Sequence, residues 1–342
     1  MKISSRLPLT PLFFKHWTPD DQEIGIVIAK AGFAFGDDGN WRATPAPELQ
    51  YEDVYCGAPE DSPLEQEQDI APAKIGTDVT VRAIARAKDG QPLAEWPVRI
   101  EIPERLTYEF VVRGPSFWTR RTLKGWKRTQ PELVNEVPID YALAFGGSAP
   151  GPDDTVVFHA FNPAGKGFCT KELLDLGEDI PCAQIGLLGE FMNTDPLTPM
   201  SVEGFGPIAK TWLPRRADAG TFDDTWKETR HPRMPVDYNL SFWNAAPSTL
   251  QLDPPLHGDE QIVVSGITIS GTPVTTPLPG VACSVAVHGD TTEHIPMTLD
   301  TVDLDVRSED SADHRLTLIW RGAIETPDQF TSAEVVSHTL EP

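Results

Sequence analysis

The most chemically suggestive run in the chain is His257-Gly258-Asp259-Glu260, where an imidazole and two carboxylates stand close enough to ligate a metal or share a proton. Adjacent residues of an extended segment point to opposite sides, so Asp259 and Glu260 diverge. The run reads as a loop entering a strand that begins at Gln261. Asp223 and Asp224 precede Trp226, which has the composition of a glycosidase subsite: paired acids beside a sugar-stacking ring. Glycosidase carboxyls stand apart on different elements, whereas an aspartate before a short helix caps it. Asp223 is therefore read as a helix N-cap. The histidines form no H-E-x-x-H pattern, and Cys56, Cys169, Cys182 and Cys283 form no C-x-x-C pair. The cysteines read as reduced, partly buried thiols. No G-x-S-x-G elbow, P-loop or dinucleotide fingerprint is present. The expectation is a chain with no catalytic residue, no metal and no cofactor. A carbohydrate-active or metal-dependent hydrolase using His257, Asp259 and Asp223 stands as the alternative.

A second set of residues points to recognition. Trp118, Arg120, Arg121 and Trp126 lie in a basic, aromatic loop region, Arg113 to Arg128, that also holds Lys124. Trp212, Arg215, Arg216 and Trp226 lie in a long Pro-rich stretch from Thr194 to Ser248. Trp and Arg are the types most enriched where proteins bind proteins. The same residues serve equally as loop-bracing core and cation–π pairs. These eight are the candidate partner-binding residues.

Charge narrows the partner. The chain of 342 residues carries a formal net charge of −23. Such a surface repels nucleic acid and anionic lipid, and it favours a basic protein partner. No apolar run reaches the roughly 20 residues a spanning helix needs. Met1 to Thr10, with Arg6 inside it, lacks the order of a signal peptide. The expected compartment is the cytoplasm.

These residues must be positioned by strands. Ile24–Phe35 is rich in Ile, Val and Ala and ends at Asp37-Asp38-Gly39, so a hairpin to Trp41 is expected. Val79, Val81, Ala83 and Ala85 alternate with polar residues; Val98, Ile100 and Ile102, then Tyr108, Phe110 and Val112, repeat the period of two. Gln261–Ile269, Val281–Val287 and Arg315–Trp320 add further strands. Helix signals are confined to Lys171–Leu176 and Asp223–Thr229. With 33 Pro and 26 Gly spread along the chain, many turns are required. The expected fold is mainly β: packed antiparallel sheets, sandwich-like, with long Pro/Gly-rich loops and few short helices. An N-terminal sheet region, 1–115, and a loop-rich central plus C-terminal sheet region, 116–342, are expected, as two units or one continuous domain. The acidic stretch Tyr51–Asp69, with Glu60 and Asp61, reads as a loop.

Ordered short motifs carry a resemblance. They are Asp69–Asp78 (DIAPAKIGTD), Trp96–Val98, Pro138–Tyr141 (PIDY), Ala144–Gly147 (AFGG), Asn162–Phe168 (NPAGKGF) and Gly204–Ile208 (GFGPI). Trp212–Arg215 (WLPR), Gly220–Asp223 (GTFD) with Trp226, Phe242–Pro247 (FWNAAP) and Leu256–Glu260 (LHGDE) complete the series. The chain from about Ile24 to Gly280 resembles the family called domain of unknown function 2169. It departs at Gly114–Trp118 (GPSFW), where the family usually carries a charged pair after the glycine. The resemblance implies a cytosolic adaptor or chaperone that binds a type VI secretion toxin effector, or its PAAR-like tip region, and hands it to the spike protein. It implies no catalytic residues. A structural part of the secreted spike is a further alternative.

Overall fold

A computed structural model describes residues 1–5, 8–18, 20–59, 62–121 and 125–340; Arg6, Glu60, Asp61 and Lys124 lie outside the described residues. Its largest sheet has seven strands. In spatial order these are Leu9–Trp17, Glu23–Phe35, Arg315–Ile324, Thr298–Asp305, Thr77–Arg82 and Gln251–Leu252, with Trp41–Ala43 on the end of Glu23–Phe35. The pairings are antiparallel except that Thr77–Arg82 runs parallel to Thr298–Asp305. A parallel pair needs a crossover, and here most of the intervening chain makes it.

A five-stranded antiparallel sheet is ordered Ile185–Gly186, Leu106–Arg113, Glu95–Ile102, Gln261–Ser265, Val274–Pro277. A four-stranded sheet joins Lys2–Ser5, Ser332–Thr339, Val281–His288 and Thr292–Pro296. All three sheets draw strands from both sides of residue 115. Val27, Val81, Val302 and Leu318 of the large sheet share one continuous apolar core with Val98, Ile100, Phe110 and Ile262 of the second and Val285 and Val335 of the third. The mainly β expectation is met, and the predicted hairpin forms, with Phe35 opposite Trp41. Among the described residues no helix is long and apolar enough to cross a membrane.

The large sheet is covered on both faces. Val27, Ala29, Ala31 and Phe33 face the main core, while Ile26 and Ile28 face Leu49 and Ile70 on the other side. Glu23–Phe35 accordingly reads as a near-continuous apolar run instead of an alternating one. The segment lying over that outer face includes the end of the acidic stretch expected to be a loop, Glu65 to Asp69. Asp69 is 4% exposed. An acid enters there because cations on the sheet lie beneath it.

Three segments differ from the sequence reading. The stretch from Arg113 to Arg128 reads as a loop but forms the hairpin Phe117–Arg121 with Gly125–Arg128. Its strands are too short to announce themselves, and the buried Trp118 supplies their core with Ile180 and Cys182. The strand from Gln261 stops at Ser265, because Gly266 takes φ +82°. Thr298–Asp305, central in the large sheet, carries Asp300, Asp303 and Asp305 and is not among the strands expected from the sequence.

Candidate partner-binding surface

Beneath the covering segment lies a layer of ion pairs. Lys30 Nζ is 2.7 Å from Asp69 Oδ2, both side chains inside the protein. Arg321 bonds Asp300 and the carbonyls of Ala71 and Asp69. Lys74 Nζ lies 2.9 Å from both Glu67 Oε2 and Asp78 Oδ2. Asp78 also accepts from Asn244 Nδ2 (2.9 Å) and from the Ala245 amide (2.7 Å). Arg215 completes the layer by donating to Glu67, to Ile208 O at 2.6 Å and to Phe242 O at 2.9 Å.

Each charge in the layer answers to the others. Burial acts to raise the Glu67 carboxyl, but Lys74 and Arg215 outweigh it and hold Glu67 below its ordinary range. Burial likewise opposes the Lys74 ammonium, and Asp78 and Glu67 overcome it, so Lys74 is raised. Burial wins at Asp69 and at Asp303, whose carboxyls are pushed up despite Lys30 and Arg82. The cavity among Glu65, Glu67, Asp78, Asp303 and Arg321 is about 40 Å³. That is room for a few waters and not for a substrate.

Most of the motifs that carry the family resemblance meet here and at one neighbouring point; Trp96–Val98 and Gly220–Asp223 with Trp226 lie elsewhere. Asp69, Lys74 and Asp78 come from the first motif, Arg215 from WLPR and Asn244 from FWNAAP. Thr77 Oγ1 donates to Leu299 O and accepts from the Leu256 amide, which brings in LHGDE. Asn162 Nδ2 donates to Tyr141 O and Phe145 O, and Tyr141 Oη donates to Gly206 O at 3.1 Å. Tyr141 packs edge-on against Trp212, 6.0 Å between ring centres. Gly76 sits where a Cβ would stand 2.1 Å from Leu252 O, so backbone crowding alone demands glycine. The motifs are contacts of one scaffold.

The surface above this scaffold is built on a satellite module. Trp118 packs with Ile180 and Cys182, and Trp126, Leu173 and Leu174 pack against them. Arg128 stacks on the Trp118 ring at 4.5 Å and donates to Phe191 O. Arg113 lies 4.1 Å over the Phe191 ring. Glu190 accepts from the Ser201 amide at 2.9 Å. These contacts fix a loop that turns apolar side chains to water: Leu188 is 56% exposed and Met192 76%. Leu187, Leu197 and Phe117 of the same module are exposed as well. The sequence signal is the Leu187-Leu188 pair between Gly186 and Gly189, apolar residues inside a turn.

The eight candidate residues fall into three groups. Trp118, Trp212 and Arg215 are buried and brace the structure from inside. Trp126 and Trp226 are half-buried. Trp226 donates its indole N–H to Arg233 O at 2.7 Å and stacks edge-on with the exposed Phe222. Arg120, Arg121 and Arg216 are exposed and free to meet a partner. Trp118, Arg120, Arg121 and Trp126 share the satellite hairpin; Trp212, Arg215 and Arg216 share the buried layer and its rim.

The sites weighed for chemistry have structural occupations. Glu260 accepts from the amides of His257 (2.7 Å) and Gly258 (2.9 Å), closing the loop into the Gln261 strand. Asp223 accepts from the Trp226 amide at 2.8 Å as an N-cap. Among the described residues no group of three or more His, Cys, Asp or Glu is placed to hold a metal. The cysteines are free thiols. Cys56 is an exposed residue, against the partly buried expectation, yet loss of water around its sulfur, with Asp140 and Glu65 nearby, pushes the thiol up to about 11. Burial pushes Cys283 up to about 12.

Comparison with known proteins agrees with the scaffold. A family model described as an uncharacterized protein conserved in bacteria matches residues 20–321. No curated protein and no solved structure matches the chain. The match spans most of the chain and takes in every motif that converges on the Lys74–Glu67–Arg215 layer, so the protein belongs to the family known as domain of unknown function 2169.

Proposed function

We propose that this protein is an adaptor-chaperone: it binds a type VI secretion effector, or the PAAR-like region that seats it on the spike, and holds it in the cytoplasm until loading. The observation that carries the reading is the exposed apolar loop at Leu187–Leu197, held by polar contacts. Exposed apolar groups fixed by surrounding polar contacts cost free energy until a partner covers them. Cation–π and hydrogen-bond contacts from Arg113, Arg128 and Ser201 hold the loop in place, so little ordering remains when a partner arrives. The exposed Arg120 and Arg121 on the underlying hairpin offer polar rim contacts. The internal acids are committed to ion pairs, which accords with a recognition role better than with hydrolysis.

The test is coexpression of the full chain with the products of its neighbouring genes. A stoichiometric complex with an effector or tip protein is expected, broken when Leu188 and Met192 are changed to Ser. In the producing cell, loss of this protein is expected to abolish delivery of that effector while spike assembly continues. Normal delivery without it would overturn the reading. Its recovery in secreted spikes at spike stoichiometry would favour a structural part of the spike.

A further inference from the structure

A concave surface lies on the central segment, lined by residues other than those of the loop just described. The hairpin strands Ser148–Pro150 and Val156–Phe158 stand beside the short helix Lys171–Leu176, and the groove between them has a volume of about 650 Å³. Its apolar floor is Ala149, Pro150, Val156 and Leu176, of which Val156 and Leu176 are each 60% exposed. Its rim is Asp153, Asp154 and Glu172. Asp175, Glu178 and Asp179 follow in the same helix and the turn after it, all exposed. The lining itself holds no Lys or Arg; Lys171 starts the helix and Arg120 lies beside Gly177 after it, so carboxylates outnumber cations along these elements.

The groove is preformed. Thr170 Oγ1 donates to Pro150 O at 2.5 Å and accepts from the Leu173 amide at 3.2 Å, which ties the start of the helix to the hairpin. The Gly151 amide donates to Thr155 O at 2.8 Å and closes the turn that carries the two aspartates. Leu173 and Leu174 point into the satellite core, which leaves Leu176 on the outside. A rigid groove spares the binding reaction most of its ordering cost.

From this shape and charge we infer that the groove takes a short segment of a partner protein in which an apolar side chain is flanked by Lys or Arg. The apolar side chain seats between Val156 and Leu176, and the cations meet Asp153, Asp154 and Glu172. The excess of carboxylates around the groove repels acidic segments, nucleic acid and anionic lipid while drawing basic chains in. The inference rests on the adaptor reading and names the chemistry of the segment that is held.

The experiment uses the full chain and an array of overlapping short peptides tiled across the effector and tip proteins encoded beside it. Retention concentrated on peptides with a basic–apolar pattern is expected, weakening as salt is raised. Asp153 and Asp154 sit at φ 55° and 57°, where asparagine is well accommodated, so D153N/D154N removes charge without disturbing the turn. That double variant and L176S are each expected to lose about tenfold in affinity with an unchanged melting temperature. Peptide binding indifferent to both variants, or no preference for basic–apolar peptides over their scrambled or acidic counterparts, overturns the inference. The adaptor reading fails separately: it falls if the intact chain binds none of the full-length neighbouring proteins. It survives if the groove variants still bind them through the Leu187–Leu197 loop.

Discussion

Lys74 and Arg215 meet on one carboxylate. Lys74 Nζ lies 2.9 Å from Glu67 Oε2, and Arg215 donates to Oε1 of the same residue. Glu67 ties the covering segment to the Pro-rich central stretch, and Lys74 carries the link on to Asp78 of the large sheet.

Replacing Arg215 by Ala strands Glu67 with one cation and leaves the carbonyls of Ile208 and Phe242 without their donor. Breaking a buried pair costs about 3–5 kcal/mol. Lysine cannot span three acceptors in a plane, so R215K is expected to recover only part of that loss. Denaturant unfolding of the three proteins measures this. An R215A loss below about 1 kcal/mol would mean the guanidinium is worth no more than an ordinary hydrogen bond.

The same acid sets a pH dependence. Glu67 is held below its ordinary value of 4.5 by Lys74 and Arg215, against burial. Its contribution is therefore present above pH 4.5 and lost as pH falls through the lower folded value. Asp69 and Asp303 are raised, chiefly by burial, above their ordinary 3.8, so each favours the folded state when protonated and costs stability as pH rises through its folded value. The stability gap between the parent and E67Q isolates the first effect. It is expected to be widest near neutrality and to narrow as pH drops below 4.5. A gap that widens in acid would reverse the assignment.

Trp118 and its hairpin neighbours separate structure from recognition. W118A empties the satellite core and is expected to cost about 3–5 kcal/mol. Hydrogen exchange should then rise in Phe117–Arg121, Gly125–Arg128 and Ile180–Pro181 before it rises in the large sheet. R120A and R121A, at exposed positions, should stay within about 0.5 kcal/mol of the parent. Loss of partner binding in those two variants at unchanged stability would place the arginines directly in the interface.

Leu188 and Met192 make the opposite prediction to Trp118. Changing them to Ser should leave stability within about 0.5 kcal/mol. At a hot spot, each change should weaken partner binding by about 2 kcal/mol, roughly thirtyfold. A lowered melting temperature with intact binding would make the loop a folding element and remove it from the interface.

Gly76 and Gly280 form a matched pair. Both have positive φ, 67° and 66°. A Cβ on Gly76 meets Leu252 O at 2.1 Å, while one on Gly280 meets nothing within 4 Å. G280A should cost about 1–2 kcal/mol of left-handed backbone strain. G76A should cost clearly more, and equal melting temperatures would contradict the crowding.

The strands that alternate or run apolar are legible in the sequence. The period of two at Val98–Ile102 and Tyr108–Val112, and the apolar run to Phe35, report burial directly, because side-chain direction along a strand is local. The Asp223 cap and the helix Lys171–Leu176 are legible for the same reason. Thr298–Asp305 is not. Its aspartates face the side of the sheet that carries the ion pairs, where Arg82 lies 2.6 Å from Asp303, and a paired charge looks like a solvated one in the sequence.

By itself, then, the sequence determined the β class, the turns and the motif set that marks the family. Each of these depends on residues close along the chain. Only the tertiary structure decided which Trp and Arg lie inside and which face water. Arg215 and Arg216 are adjacent and of the same type, yet Arg215 is buried on Glu67 and Arg216 is exposed. The difference comes from an acid contributed by a distant segment. Burial of a charge is settled by the partner that folding brings to it, and no local pattern carries that information.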